Sequence, residues 1–190
     1  MGRQDLQTQV YGSFGEPSVD RILITYGPWL VRELRLDHQK LEWLWAEMQK
    51  YPSLFSDLTQ HNENVFLDMI EDKFTYFLEI INDNEETVGL FYVTELYKGI
   101  DASVHLLFFD RKPSEKAELC KEILLHVFDK FPYLHRLTAT IPSIYHATIR
   151  LAKRIGFVQE GTKRQSLMIK HKWCDEVIFG TIAGELNGIA

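Results

Sequence analysis

The 190-residue chain has few cysteines, fewer basic than acidic residues and no long apolar run. Its two cysteines, Cys120 and Cys174, form neither a CxxC motif nor a metal-ligand spacing. Cys120 falls on the apolar side of a predicted helix, which favours a reduced core thiol. Lys and Arg number 21 against 27 Asp and Glu, so the net charge is -6. This excess of negative charge argues against a nucleic-acid partner.

Signals for membranes, metals and nucleophilic serines are also missing. No apolar run reaches transmembrane length, and residues 1–20 are too polar for a signal peptide. We therefore expect a cytoplasmic protein without a membrane partner. The histidines show no i, i+4 pairing or cysteine partnership suited to zinc, and no serine lies in a nucleophile-elbow sequence. The sequence therefore predicts no metal site.

Apolar periodicity predicts one domain over residues 21–190, preceded by an N-terminal arm over residues 1–20. The predicted order is one or two strands over 21–35, helices over 36–51 and 62–74, strands over 75–81, 87–97 and 102–110, a helix over 114–131, a strand over 134–142, a helix over 143–155, and strands over 165–173 and 175–183. This order predicts an α/β (α+β) fold, with a mixed, mostly antiparallel central sheet and helices on both faces. The strand over 102–110 is apolar enough to be buried on both faces.

The helix over 143–155 has recognisable signals at both ends. Ser143 follows a proline and is the expected N-cap. Gly156 stands one residue past the last periodic position, where a left-handed backbone commonly ends a helix, and Phe157 follows at the position of the hydrophobic contact. Helix termination alone explains these residues, without any function.

In combination with the element order, two segments carry a family resemblance. They are "ATIRLAKRIGFVQEGTKR" and "CDEVIFGTI", with Gly156-Phe157, the run Gln159-Glu160-Gly161, and Asp175 before the last strand. The chain resembles the GNAT family of N-acetyltransferases, and in particular the branch that acetylates protein N-termini and ribosomal proteins. The resemblance implies a GNAT-like acyl-CoA N-acyltransferase fold that uses acetyl-CoA as a substrate.

In that family a glycine-rich turn before a helix binds the pyrophosphate of coenzyme A. The equivalent stretch here, "FFDRKPSEKAEL", contains no glycine, and none occurs between Gly99 and Gly156. A side chain at such a position blocks close approach of the backbone to phosphate. The resemblance implies these cofactor-binding residues: Phe108 and Phe109, through backbone N–H groups at the acetyl carbonyl, with Arg111, Lys112, Ser114 and Lys116 at the pyrophosphate and Thr148 on the later helix.

The resemblance also suggests catalytic candidates. The family often uses a tyrosine close to the Gly-Phe pair to protonate the departing thiolate, but Ala152 and Lys153 occupy that neighbourhood. Tyr145, two turns earlier, is the replacement we consider. His105 and His146 are the candidate bases that would deprotonate the attacking amine. Each of the three also has an ordinary structural explanation, as a packed or exposed side chain.

Two functions remain open. The first is a GNAT-type N-acetyltransferase that moves an acetyl group directly from acetyl-CoA to a primary amine, with a peptide or protein N-terminus as one acceptor. The second is a catalytically degenerate GNAT-fold structural or interaction protein, for example in a bacteriophage particle, with a homo-oligomer or protein partner and a virion location. The glycine-free turn and Tyr145 favour the second. An open V-shaped cleft beside the strand over 102–110 would favour the acetyltransferase. A gap plugged by Phe108, Phe109 or Tyr145 would favour the degenerate protein.

Overall fold

The structure is a computed structural model that describes residues 21–34, 37–51, 57, 59, 61–71, 74–96, 99–109 and 116–186. Its strands are β1 (Ile22–Tyr26), β2 (Trp29–Glu33), β3 (Tyr76–Asn82), β4 (Thr87–Thr94), β5 (Asp101–Phe108), β6 (Arg136–Pro142), β7 (Val158–Ile169) and β8 (Lys172–Ile182). Its helices are α1 (His38–Gln49), α2 (Glu63–Glu71), α3 (Ala117–Lys130), α4 (His146–Ile155) and α5 (Ala183–Leu186). The predicted arm, residues 1–20, lies outside the described residues.

All eight strands join one sheet in the order β1-β2-β3-β4-β5-β6-β8-β7. The β5–β6 pair is parallel, and the other six neighbouring pairs are antiparallel. Gly27, with φ of 55°, forms the turn that separates β1 from β2. The predicted mixed, mostly antiparallel sheet is therefore confirmed.

Helices cover the sheet on both faces, as predicted. On one face, α3 and α4 bury their apolar stripes against β3, β4 and β6, and the buried residues of α3 are Ala117, Leu119, Cys120, Ile123, Leu124, Val127 and Phe128. On the other face, Leu44 and Met48 of α1 and Phe66 of α2 pack on Leu90 and Leu107. Because neighbouring residues of a strand point to opposite faces, β4 and β5 contribute side chains to both cores.

One buried charge lies on the α1 side of the sheet. Glu79 of β3 is 2% exposed and accepts a hydrogen bond from Arg32 Nε at 3.0 Å. Lys40 Nζ and Thr87 Oγ1 also donate to this carboxylate. Burial alone would raise the pKa of Glu79, but the hydrogen bonds and the charge of Lys40 lower it. This network fixes α1 to the sheet.

The end of α4 is as predicted, but its beginning is not. Gly156 has φ of 117° and ψ of 9°, and the Phe157 N–H donates to the Ala152 carbonyl at 3.0 Å, as in a Schellman ending. The prediction of Ser143 as N-cap is wrong. The helix starts at His146 after Tyr145, and Ser143 lies before it, where its N–H donates to the carbonyl of Asp175 on β8 at 2.8 Å.

The last hairpin also differs from the prediction. The strand expected over 165–173 contains the turn itself, and β7 begins earlier, at Val158. Lys170 and His171 form that turn with φ of 51° and 59°. The carboxylate of Asp57 accepts hydrogen bonds from both backbone N–H groups, at 2.7 and 2.6 Å. This contact stabilises a left-handed turn that contains no glycine or asparagine.

Strands β5 and β6 separate after a short parallel contact. Their pairing runs only from Asp101 with Arg136 to Ser103 with Thr138. Beyond Ser103 the two strands have no registered pair, although both continue for several residues. The prediction that this part of the chain is buried on both faces is wrong for His105, which is exposed. The V-shaped gap between the strands defines the site described next.

Candidate active site

A cleft of about 640 Å³ occupies the gap between β5 and β6. One wall is formed by residues 104–107 of β5, and the other by residues 139–142 of β6 together with the inner side of α4. Side chains of β4, of α3 on one face of the sheet and of α1 on the other face also line the cleft. The cleft opens to solvent beside His105, His146 and Thr148, which are all exposed.

Four of the predicted site residues meet in this cleft: His105, Tyr145, His146 and Thr148. Neither Phe108 nor Phe109 lines it. The gap is therefore not plugged by these two phenylalanines. His105 stands on the β5 wall, while the other three residues follow one another along the start of α4.

The ring of His105 is held by its neighbours on β4. It stacks on the Tyr92 ring with 4.6 Å between centroids and 10° between planes, and its Nε2 lies 3.1 Å from Thr94 Oγ1. Desolvation by the surrounding protein lowers the pKa of His105 to about 4, although the ring surface is exposed to water in the cleft, while the nearby charge of Glu95 acts in the opposite direction. The imidazole is therefore neutral near pH 7 and can accept a hydrogen bond.

Tyr145 places a hydroxyl group in an apolar setting. Its Oη is buried and has no hydrogen-bond partner in the part of the chain that the structure describes. Desolvation raises the pKa of Tyr145, with a smaller contribution from Cys174. The phenol therefore keeps its proton near neutral pH, and the described residues leave its donor unused.

The polar neighbours of His105 were not identified from the sequence. Thr94 is the last residue of β4 and Glu95 follows it, and the Ser103 hydroxyl donates to Glu95 Oε2 at 2.7 Å. Tyr92 is the direct cross-strand partner of His105. A register between two strands of a hairpin depends on the loop between them, so the sequence pattern alone does not pair these residues.

The remaining cofactor predictions have different outcomes. The Phe109 N–H donates to the Val88 carbonyl at 2.9 Å and is thus already engaged, which removes it as the predicted donor to an acetyl carbonyl in this structure. The Phe108 ring lies 4.9 Å from Lys116 Nζ, and the Trp29 ring lies 5.0 Å from it. Lys116 has no exposed surface, so its predicted contact with pyrophosphate is not formed by an accessible side chain. Arg111, Lys112 and Ser114 lie outside the described residues.

The described residues contain no group of three or more His, Cys, Asp or Glu side chains arranged to hold a metal ion. Among the helices in this same part of the chain, none is long and apolar enough to cross a membrane.

The family profile described as "Acetyltransferase (GNAT) domain" matches residues 48–178, more than half of the chain. The chain belongs to the GNAT acetyltransferase family. The matched region begins at the end of α1 and contains α2, both walls of the cleft and the Gly156-Phe157 ending. The branch that acetylates protein N-termini and ribosomal proteins stays a prediction.

Solved GNAT structures share the fold. A point mutant of the spermidine N-acetyltransferase SpeG from Vibrio cholerae has a TM-score of 0.68 and 14% identity, covering 84% of this chain and 96% of that one. The Vibrio cholerae spermidine N-acetyltransferase in complex with CoA and spermine has a TM-score of 0.65 and 13% identity, and the match covers 84% of this chain and 98% of that one. No curated protein matches the chain significantly in sequence. At such identities the GNAT likeness concerns the fold.

Proposed function

We propose that this GNAT protein transfers an acetyl group directly from acetyl-CoA to a primary amine. The observation that carries the proposal is the open cleft between β5 and β6, with neutral His105 on one wall and, on the other, Tyr145, whose buried hydroxyl has no partner among the described residues. The structural neighbour that contains both CoA and spermine supports the pairing of a thioester donor with an amine acceptor.

The residues present fit an acetyl-CoA donor. Apolar side chains line most of the cleft, which suits the methylene groups of a pantetheine arm, and the Tyr145 hydroxyl, which has no partner among the described residues, is the proposed hydrogen-bond donor. Thr148 lies near the opening and adds a second polar group. We place the phosphates at the start of α3, because the N–H groups at a helix N-terminus and the helix dipole favour an anion. Arg111, Lys112 and Ser114 are the proposed side-chain contacts there.

The reaction requires one bond to form and one to break. The neutral amine nitrogen attacks the thioester carbonyl carbon, a C–N bond forms, and the C–S bond breaks to release coenzyme A. The Tyr145 hydroxyl donates its proton to the departing thiolate and recovers one from solvent. The amine loses one proton in turn, which balances the proton that Tyr145 recovers, so the net products are the amide and the thiol.

His105 has the role of receiving the amine proton. With a pKa near 4 the imidazole is neutral at working pH, so it accepts a hydrogen bond from the amine, and it is too weak a base to keep the proton. Its exposure to the cleft opening lets the proton pass to water. His146, exposed on the same opening, is the second candidate base.

The acceptor approaches beside His105. Glu95 and its hydrogen-bonded partner Ser103 place a carboxylate near this position, which favours an amine that carries positive charge. An aliphatic polyamine of the kind named for the structural neighbours is the first acceptor to test, and a peptide N-terminus is the second.

The test is amine-dependent release of coenzyme A, with the acetylated product identified by mass spectrometry. Purified protein is incubated with acetyl-CoA and either spermidine or a short peptide with a free N-terminus. We expect thiol release that requires one of these amines and a product heavier by one acetyl group. Acetyl-CoA that stays intact with every primary amine tested would overturn the proposal and favour a scaffold role.

A further inference from the structure

The start of α3 is held by aromatic side chains on the α3 side of the sheet. Lys116, the residue that precedes this helix, has no exposed surface. Its Nζ lies 4.9 Å from the centre of the Phe108 ring and 5.0 Å from the centre of the Trp29 ring. A desolvated cation over an aromatic face is attracted to the ring. These contacts join the start of α3 to the end of β5 and to β2.

A glycine on β4 makes room for the Phe108 ring. Gly89 is the cross-strand partner of Phe108. A Cβ at Gly89 would lie 2.8 Å from Cδ1 of the Phe108 ring and 2.7 Å from the carbonyl oxygen of Leu107, and both distances are too short for a side chain. The ring therefore lies against the backbone of β4, and from this position it contacts Lys116.

The next residue, Phe109, is held on the α1 side of the sheet. The Tyr51 hydroxyl donates to the Phe109 carbonyl at 2.9 Å, and the centres of the two rings are 5.6 Å apart. Trp43 of α1 contacts the Phe109 ring edge-on, with 6.2 Å between ring centres. The end of β5 is thus fixed from both faces. We call these five aromatic residues the aromatic clamp: Trp29, Trp43, Tyr51, Phe108 and Phe109.

The aromatic clamp fixes the start of α3 relative to the β5 wall of the cleft. The proposed donor uses both, because its pantetheine arm would lie in the cleft and its phosphates at the N-terminus of α3. The sequence between Phe109 and Lys116 contains no glycine, the residue whose conformational freedom lets a backbone adapt to phosphate. A helix start that is already in place binds an anion without a further ordering cost, which increases affinity.

We infer that Trp29 and Tyr51 are positioning residues for the nucleotide end of the donor, because the aromatic clamp holds the first N–H groups of α3 where the phosphates bind. The inference rests on the proposed function, since it concerns the same donor. Neither residue lines the cleft, so neither is placed to contact the thioester or the amine. Substitutions at these two residues should therefore weaken phosphate binding and leave the thioester end of the site unchanged.

The experiment compares binding of acetyl-CoA with binding of S-acetylpantetheine, which lacks the phosphates and the adenosine. Calorimetry gives the affinity of acetyl-CoA for wild-type protein, Tyr51→Phe and Trp29→Leu, and competition with acetyl-CoA gives the affinity of S-acetylpantetheine. We expect each variant to bind acetyl-CoA about tenfold more weakly, because one further residue that is ordered only on binding costs about that factor. The affinity for S-acetylpantetheine should stay at the wild-type value.

Two controls match these substitutions. Trp173→Leu is the control for Trp29→Leu, because Trp173 is 61% exposed on β8 and lies outside the clamp and the cleft. Tyr133→Phe, at another exposed position outside the cleft, is the control for Tyr51→Phe. Both controls should keep the wild-type affinity for both ligands. Tyr51→Phe retains the ring and removes only the hydroxyl, so it tests the inference even if Trp29→Leu does not fold.

Each outcome bears on the two proposals separately. An unchanged affinity of Tyr51→Phe and Trp29→Leu for acetyl-CoA would overturn the inference and leave the proposed function in place. Equal losses for both ligands would also overturn it, because the clamp would then support the whole cleft rather than the phosphate end. The expected loss in a protein that acetylates no amine would support the clamp and contradict the proposed function. Failure of wild-type protein to bind acetyl-CoA would overturn both.

Discussion

Tyr145→Phe, which removes the hydroxyl of Tyr145, should lower activity without lowering stability. A buried hydroxyl without a partner destabilises the folded state by about 1–3 kcal/mol through lost hydration. Tyr145 Oη is such a group. Tyr145→Phe should therefore leave the free energy of unfolding unchanged or raise it within that range. For a chain of this size, each kcal/mol raises Tm by about 2–4 °C.

The same substitution should impair catalysis. If the hydroxyl protonates the departing thiolate, its loss lowers kcat by about 10²- to 10⁴-fold, the usual contribution of a general acid. The KM for acetyl-CoA should change much less, because the thiolate charge develops only in the transition state. Steady-state kinetics of coenzyme A release and thermal unfolding of the same preparation measure the two effects.

Tyr133→Phe is the matched control for this substitution. Tyr133 is 51% exposed and lies outside the cleft, so the control should retain wild-type kcat and Tm. A Tyr145→Phe protein with wild-type turnover and a Tm several degrees lower would refute the reasoning. Such a result would mean that the hydroxyl has a structural partner and no catalytic role.

Three further predictions concern stability. Glu79→Ala should lower the free energy of unfolding by about 3–5 kcal/mol in denaturant titrations, because Arg32 and Lys40 lose their buried carboxylate; a change below about 1 kcal/mol would contradict the network. Gly156→Ala should lower it by about 1–2 kcal/mol, because φ of 117° is unfavourable for a residue with a Cβ; an unchanged midpoint would contradict this. The pKa of His105 is about 4 in the folded protein and 6.5 in the unfolded chain, so the unfolded chain binds the proton more readily and stability should fall as pH decreases from 6.5 to about 4. His105→Asn should lose that part of the pH dependence of Tm. An unchanged profile of Tm against pH would contradict the lowered pKa.

Elements with a local signal were predicted well from the sequence. Gly156 ends α4 in the left-handed conformation, as predicted, and Asp37, a residue type typical of N-caps, accepts a hydrogen bond from the Lys40 N–H at 2.7 Å at the start of α1. The apolar face of α3 is buried, as the 3.6-residue period of its apolar residues indicates. In each case the residues that decide the conformation lie within a few positions of one another.

Features that depend on distant residues were not predicted. The turn at Lys170 and His171 has no residue typical of a left-handed turn, and the carboxylate that stabilises it belongs to Asp57, 113 positions before Lys170. Ser143 is not the N-cap of α4; its N–H donates to the carbonyl of Asp175 on β8, and the helix starts three residues later. Sequence patterns describe near neighbours, so a conformation that a long-range contact selects escapes them.

The candidate site was predicted in part for the same reason. The resemblance identified Tyr145, His105, His146 and Thr148, which all line the cleft. Their positions relative to one another depend on where β5 separates from β6, which the sequence does not indicate. The burial of Lys116 between two aromatic rings came from packing against Trp29 on β2, which no local pattern indicates.

The most direct test of the central claim is a calorimetric titration of acetyl-CoA into the purified protein. An intact donor site predicts saturable binding at micromolar concentration, which corresponds to about 8 kcal/mol. Coenzyme A should compete for the same site. The absence of heat at millimolar acetyl-CoA would contradict the account and leave a GNAT fold whose cleft no longer binds the donor.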